Sequence, residues 1–284
     1  MSSASTLHFA VIGDPIGHSR SPLMHNAAFR ALGIDADYTA IHVTREGLSE
    51  FLESARTTLS GFNITVPHKN AVIPFLDGIT PRAALAGSVN TVSVRDGKLF
   101  GDTTDATGLE RAVQEVFGLA LKGANVCILG CGGVVRALVF HLADVGCARI
   151  RILNRTAEKA AQLTDELLKH APSLDCGFAA LDDLPAVRNA LDGTGLVIQC
   201  TSLGLRDGDG SPIDPDLIPS SACLFDTIYR ETDILVRCRK RGLRVSGGLP
   251  MLVHQGAESF RIWTGREAPV DVMRAAAEGG QVLH

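Results

Sequence analysis

Two α/β domains are expected from this chain, on three grounds. The 284 residues exceed a usual single domain. Short apolar runs alternate with helix-period stretches, the rhythm of βαβ units, and that rhythm starts twice. The second start is NVCILGCGGVVRA, an apolar run joined to a helical pattern through Gly130, Gly132 and Gly133.

In the first third, FAVIG, YTAIHV and GFNITV are strand-like, with helices around Pro22 to Leu32 and Leu48 to Leu59. SVNTVSVRDGKLFG then reads as two strands about an Asp96-Gly97 turn, an antiparallel addition at one edge of a mainly parallel sheet. A helix from about Ala106 to Phe117 leads through GLALKGA into the second rhythm. Its expected strands are Asn125 to Leu129, Arg149 to Leu153, Leu196 to Cys200 and Cys223 to Phe225, a second parallel sheet. GLRDGDGSPIDPDLIPSS crowds Gly, Asp and Pro into a loop expected beside a site.

Composition narrows the function classes. With 45% hydrophobic and 20% charged residues the chain is globular, and 27 Lys and Arg against 31 Asp and Glu leave a net charge of -4. That balance offers no footprint for nucleic acid or an anionic membrane, so neither is expected as a partner. No apolar run approaches the ~20 residues of a membrane span. MSSASTLHFAVIG reads as a short tail entering a strand, with no leader pattern. The seven cysteines are scattered without a CxxC pair, which suggests reduced, mostly buried thiols, no metal site and a cytoplasmic location.

The glycine loop is the chemistry-bearing motif read most directly. Glycines let a backbone approach a pyrophosphate, and the N–H groups at the start of the next helix attract its charge. At the end of the next strand, where an acidic residue would select NAD, stand Asn154, Arg155 and Thr156, with Lys159 one turn on. A guanidinium there can stack on adenine and pair with a 2′-phosphate, so NADP(H) is the expected cofactor. The plainer reading of Asn154 or Thr156 is a helix N-cap.

Three further fragments, GHSRSPLMHN, AGSVNTV and GDTTDATGL, place small polar groups where strands stop, as NITVPHK does. Together with the glycine loop, NRT and GLPMLVHQGAESFRIWTG, they make the chain closely resemble the shikimate dehydrogenase family, which includes shikimate and quinate dehydrogenases, over nearly its full length. The resemblance implies NADPH-dependent reduction of 3-dehydroshikimate to shikimate, on the route to chorismate and aromatic amino acids. It implies a substrate domain, 1–105 with 248–284, a Rossmann-like NADP domain, 106–247, an active site in the cleft between them, and a monomer or homodimer. Lys69 and Asp105 match the catalytic pair. Ser19, Ser21 and Tyr229 match groups that hold the substrate carboxylate; Asn63, Thr65, Asn90 and Gln255 match those that hold ring hydroxyls. Thr201, Gly248 and Met251 join the cofactor set.

Chemistry supports the pair independently, because hydride reaching a ketone leaves charge on oxygen that an ammonium stabilises and protonates. Plainer readings exist singly: Ser19 and Ser21 as caps before Pro22, Lys69 as a solvated helix start, Asp105 as an N-cap. His18 and His68 are expected to pack or hydrogen-bond rather than catalyse. The chain departs from the family pattern at Thr103, usually Asn, at Gln199-Cys200 in place of Asn-Ala, and at Val134-Val135, usually small residues. A paralogue acting on quinate or aminoshikimate-like polyols and a non-catalytic NADP-binding regulator are the alternative readings.

Overall fold

The structure, a computed structural model, describes residues 6–279. The first five residues of the expected tail lie outside that range. Residues up to Gly108 and from Leu252 form one compact unit, and Leu109–Met251 form the other.

In the first unit, β1 (Leu7–Gly13), α1 (Ser21–Ala31), β2 (Ala36–His42), α2 (Leu48–Thr58) and β3 (Gly61–Ile64) follow the expected βαβ rhythm. α2 shows why: Leu48, Leu52 and Ala55 recur at helical spacing and are the residues it buries. Next come β4 (Gly78–Ile79), α3 (Pro81–Ala86), β5 (Thr91–Arg95) and β6 (Lys98–Asp102). The sheet order is β2-β1-β3-β5-β6-β4. β1 runs parallel to β2 and β3, and β4 to β6, whereas β5 is antiparallel to both β3 and β6. Asp96 and Gly97 both have positive φ, as the tight hairpin between β5 and β6 requires. One expectation is corrected: the hairpin is not the sheet edge, because the two-residue β4 pairs outside β6. A strand that short carries no periodicity to read.

α4 (Asp105–Phe117) leads to the second unit, built from β7 (Asn125–Leu129), α5 (Gly133–Asp144), β8 (Arg149–Asn154), α6 (Ala157–His170), β9 (Asp175–Ala180), α7 (Leu184–Leu191), β10 (Leu196–Gln199), β11 (Cys223–Asp226), α8 (Asp233–Lys240) and β12 (Arg244–Ser246). All pairings are parallel, in the order β12-β11-β10-β7-β8-β9. This is the doubly wound dinucleotide order, whose switch point lies where β7 meets β10. Four of these strands match the sequence expectation. β9, interrupted by Gly177 and ending in two alanines, and the three-residue β12 escape it because neither presents a run of large or β-branched apolar residues.

α9 (Leu249–Thr264) returns the chain to the first unit and α10 (Val270–Gly279) follows, packed on α1. Phe260 and Trp263 of α9 join Phe9, His25, Phe29 and Tyr38 in an aromatic cluster. Trp263 Nε1 donates to Val92 O (2.9 Å) over Gly61, whose missing side chain lets the indole lie on the sheet. Phe9, Phe29 and Phe260 are fully buried, each contributing roughly 1.5–3 kcal/mol of transfer free energy. This cluster is what holds α9, and therefore Gln255, against the end of the sheet.

Candidate active site

β3 ends at Ile64, and the segment after it carries Thr65 and Lys69. Val89 N bonds Lys69 O (2.9 Å), tying that segment to the approach to β5. Lys69 Nζ donates to Asp105 Oδ2 at 2.7 Å, with the carboxylate side chain only 8% exposed and the lysine 21%. Asp105 opens α4, yet it is not an ordinary cap: its other oxygen accepts from Asn90 Nδ2 (2.9 Å). Upstream, Arg82 grips both oxygens of Asp102 (2.7 and 2.8 Å), fixing the end of β6 that leads into Asp105. Burial works against the Asp102 charge, but bonds from Arg82 and Thr80 hold this carboxyl below its ordinary value.

Gln255 reaches the same place because Gly108 lets α9 approach α4; a Cβ on Gly108 would lie 2.8 Å from Gln255 Cβ. Gln255 Oε1 accepts from Asn90 Nδ2 (3.3 Å) and Thr104 Oγ1 (3.4 Å), and Nε2 donates to Leu252 O. Lys69, Asn90, Asp105 and Gln255 thus form one connected group. Asn63 is connected to it but differently engaged. Its Oδ1 accepts from Tyr38 Oη (2.7 Å), and its Nδ2 serves Asn90 O (3.0 Å), Thr91 Oγ1 (3.1 Å) and Ser259 Oγ (3.0 Å). Its N–H donors have protein partners, as do those of Asn90, which reach Thr104 Oγ1 (3.0 Å), Asp105 Oδ1 (2.9 Å) and Gln255 Oε1 (3.3 Å).

Thr65 is half-buried just past β3, and its methyl lies against Gly13, where a Cβ would come within 2.5 Å of it. Ser21 begins α1, and Ser21 N donates to Ser19 Oγ (3.3 Å) rather than either hydroxyl capping the helix. Burial pushes the Tyr38 phenol well above its ordinary value, an effect that the Ser21 hydroxyl beside it opposes. His68 is buried with Nε2 bonded to Val43 O (2.6 Å), and His18 is exposed.

In the second unit, a cavity of about 760 Å³ is lined by Gly130, Cys131, Gly132, Asn154, Arg155, Thr156, Lys159 and Thr201, together with Leu181, Asp182, Cys200, Ser202, Leu203, Leu205 and Pro212. That volume is within the ordinary range for a cofactor site. Gly130 has φ of 109°, and a Cβ there would sit 3.1 Å from the Cys200 carbonyl, so the turn after β7 needs glycine on both counts. α5 starts at Gly133 behind Gly132 with no side-chain cap, and although Val135 N turns back to Gly132 O (3.0 Å), a helix start of this kind offers N–H groups to an anion. Thr156 stands at the N-cap of α6 without a capping bond, and Asn154 Nδ2 instead braces Thr156 O (2.8 Å). Burial raises the Cys131 thiol to about 11, so it lines the cavity as a neutral group.

The departures from the family pattern have local accounts. Val135 is fully buried on the inner face of α5, and Val134 is half-buried. Gln199 Oε1 accepts from Thr201 N (2.6 Å) while Nε2 donates to Leu203 O (3.0 Å); the longer amide staples the loop that lines the cavity. Thr103 is buried with Oγ1 unpartnered among the described residues.

Tyr229 and Gly248 belong to the second unit, as does Met251, which is 7% exposed. Gly248 N donates to Ile228 O (3.0 Å), and a side chain on Gly248 would collide with the Thr227 carbonyl, so glycine sets the path of the Tyr229 segment. Asp226, at the foot of that segment, accepts from Thr232 Oγ1 (2.6 Å) and Ile228 N (3.0 Å), and burial lifts its carboxyl to about 6.

Residues 11–92 match the model of the shikimate dehydrogenase substrate binding domain, 111–203 that of shikimate / quinate 5-dehydrogenase, and 248–278 that of the shikimate 5'-dehydrogenase C-terminal domain. A shikimate dehydrogenase (NADP(+)) of Symbiobacterium thermophilum is 41% identical, covering 94% of this chain and 92% of the relative. The chain belongs to the shikimate dehydrogenase family. Among solved shikimate dehydrogenases, that of Thermus thermophilus in complex with NADP(H) and shikimate is 36% identical with a TM-score of 0.86, covering 96% of this chain and 99% of that one. A quinate dehydrogenase of Corynebacterium glutamicum in complex with NAD is 27% identical at the same TM-score, covering 96% and 99%.

Sequence reasoning missed Tyr38, Thr91, Thr104 and Ser259 around Asn63 and Asn90, and Cys131, Leu181, Asp182, Ser202, Leu203, Leu205 and Pro212 around the cavity. Ser259 had a signal, since it stands one helical step beyond Gln255 on the same face. The pairing of Asn63 with Thr91 had none, because it is a register between β3 and the start of β5.

Proposed function

We propose that the protein catalyses the NADPH-dependent, reversible reduction of 3-dehydroshikimate to shikimate. The observation that carries the reading is the 2.7 Å Lys69–Asp105 pair, enclosed by amides and open on the lysine side. The second unit is the cofactor domain in this reading and the first is the substrate domain. The cavity fits NADP(H): a glycine turn and a helix start for the pyrophosphate, and Arg155 and Lys159 for a 2′-phosphate. NADPH, when bound, supplies the hydride.

Lys69 Nζ hydrogen-bonds the ketone oxygen, stabilises its developing charge and delivers the proton; in the oxidative direction it takes that proton back. Asp105 holds the amine in place and accepts from the neighbouring hydroxyl. Asn63, Thr65, Asn90 and Gln255 hold ring hydroxyls in this reading, and a substrate lacking one would forgo those bonds, which is a strong basis for rejection. Ser19, Ser21 and Tyr229 bind the carboxylate through hydroxyls, without a buried counter-charge. Free cysteines among the described residues favour a cytoplasmic setting.

The test is shikimate-dependent reduction of NADP+, with quinate and NAD+ as parallel arms. Preference for shikimate with NADP+ is the expected result. Faster turnover of quinate, or tight NADPH binding without turnover of either acid, overturns it.

A further inference from the structure

The buried polar groups behind Asp105 line up in one direction. Tyr38 Oη donates to Asn63 Oδ1 (2.7 Å), Asn63 Nδ2 to Thr91 Oγ1 (3.1 Å), Thr91 Oγ1 to Asn90 Oδ1 (2.9 Å), and Asn90 Nδ2 to Asp105 Oδ1 (2.9 Å). Lys69 meets the other carboxylate oxygen (2.7 Å). Every member from Tyr38 to Asp105 is at most 6% exposed.

Neither amide can be reversed. Asn63 Nδ2 also faces the Asn90 carbonyl (3.0 Å), which only accepts, and Asn90 Oδ1 also receives Thr104 N (2.9 Å), which only donates. Two backbone groups therefore set the polarity of the whole line. Ser259, 2.8 Å from Thr91 Oγ1 and 3.0 Å from Asn63 Nδ2, buttresses its middle from α9. At its far end Tyr38 stacks on His25 with centroids 4.4 Å apart and planes 6° apart, and the Ser21 hydroxyl lies beside its phenol.

We infer that Tyr38 and Thr91 are positioning residues for the Lys69–Asp105 pair, acting through Asn63 and Asn90 as a one-way hydrogen-bond relay that links the Ser21 end of the substrate site to the proton-transfer end. The inference rests on the dehydrogenase reading above. The backbone groups keep either amide from reversing, so removing an early donor loosens the next link without turning it over, and the loosening passes through Asn63 and Thr91 to the Asn90 N–H that orients Asp105. In a low-dielectric interior such aligned donors also strengthen one another.

The test uses Tyr38→Phe, which keeps the ring stacked on His25, and Thr91→Val, which keeps the shape of the side chain. Shikimate oxidation should lose about 5-fold in kcat for the first and about 10-fold for the second, with the KM for NADP+ within about 2-fold of wild type. Because both act on one relay, the double variant should be no slower than Thr91→Val alone, and Thr91→Ser should recover most of the loss. The 15N resonance of the Lys69 side chain should move in Tyr38→Phe although the two residues do not touch. Factors that multiply in the double variant, single variants with wild-type kcat, or an unmoved Lys69 resonance overturn the relay. A wild-type protein that oxidises neither shikimate nor quinate overturns the parent reading instead, and the Lys69 resonance still decides the relay.

Discussion

The first unit binds its own polar groups to one another, whereas the second leaves them for a ligand. Around Asp105 the amides of Asn63, Asn90 and Gln255 already have protein partners in fixed orientations. Around Gly130 the available groups are backbone N–H at the start of α5 and cations on Arg155 and Lys159, both exposed. The difference is chemical. A proton donor must be aimed to within tenths of an ångström before the reaction, so it needs a preorganised cage. A phosphate brings its own charge and oxygens, and completes a site that only has to be concave and positive.

The largest effect should come from disrupting the cage. Lys69→Ala should lower kcat by at least about 100-fold, the usual contribution of a positioned acid–base group, while NADPH titrated by fluorescence binds as to wild type. Unchanged kcat would remove Lys69 from the mechanism. Disrupting the open site should act on recognition alone: Arg155→Ala should raise the KM for NADP+ by about 10- to 100-fold, the effect of losing a charge-assisted bond, and leave the weak use of NAD+ as it was. Equal losses with both cofactors would assign Arg155 to the adenine instead of the phosphate.

Acid should separate the two units further, because each buries a group whose proton affinity burial shifts, and the two shifts run in opposite directions. His25 is fully buried, its nitrogens have no partner among the described residues, and burial lowers it from 6.5 to about 3. Above pH 6.5 it is neutral folded or unfolded; below, only the unfolded chain takes the proton. Stability should therefore fall by about 1.4 kcal/mol per pH unit as pH drops from 6.5 towards 3. Asp226 is shifted the other way, from 3.8 to about 6. Its folded form holds a proton that the unfolded form releases above 3.8, so its contribution is full below 3.8 and lost as pH rises to about 6. Urea denaturation between pH 4 and 6 should show the first unit weakening in acid, a trend that His25→Phe abolishes. Asp226→Asn should remove the opposing trend from the second unit; identical profiles for wild type and both variants would discount these shifts.

The smallest effect is expected at Thr103. Its buried Oγ1 satisfies no partner among the described residues, so Thr103→Val should leave kcat within about 2-fold and stability within about 1 kcal/mol. A large loss of kcat would give this departure from the family pattern a role in the reaction.

How legible all this was depended on whether a signal is local. The glycine turn and the NRT segment announce themselves, since Gly130 needs its φ and its closeness to Cys200 within a few residues of one strand end. The Asp96-Gly97 hairpin was readable for the same reason. β4, β9 and β12 were not, because they are strands by virtue of their neighbours rather than of an apolar pattern. Asn63 was legible as a polar residue placed oddly in a buried strand, but its partners were not, because they come from β2, the turn before β5 and α9.

Two α/β units, the dinucleotide turn, the cations beyond it and the match of Lys69 and Asp105 to a family's motifs are written in the order of the residues. Periodicity, glycine chemistry and motif order are properties of short stretches, and they survive without coordinates. Folding in three dimensions had to settle that Asp105 is held by Asn90, that Asn63 is engaged by Tyr38 and Thr91, and that α9 delivers Gln255 and Ser259 to the same place. Hydrogen-bond partnership depends on strand register and on how closely helices approach, and here a missing side chain at Gly108 and an aromatic cluster under α9 set that approach.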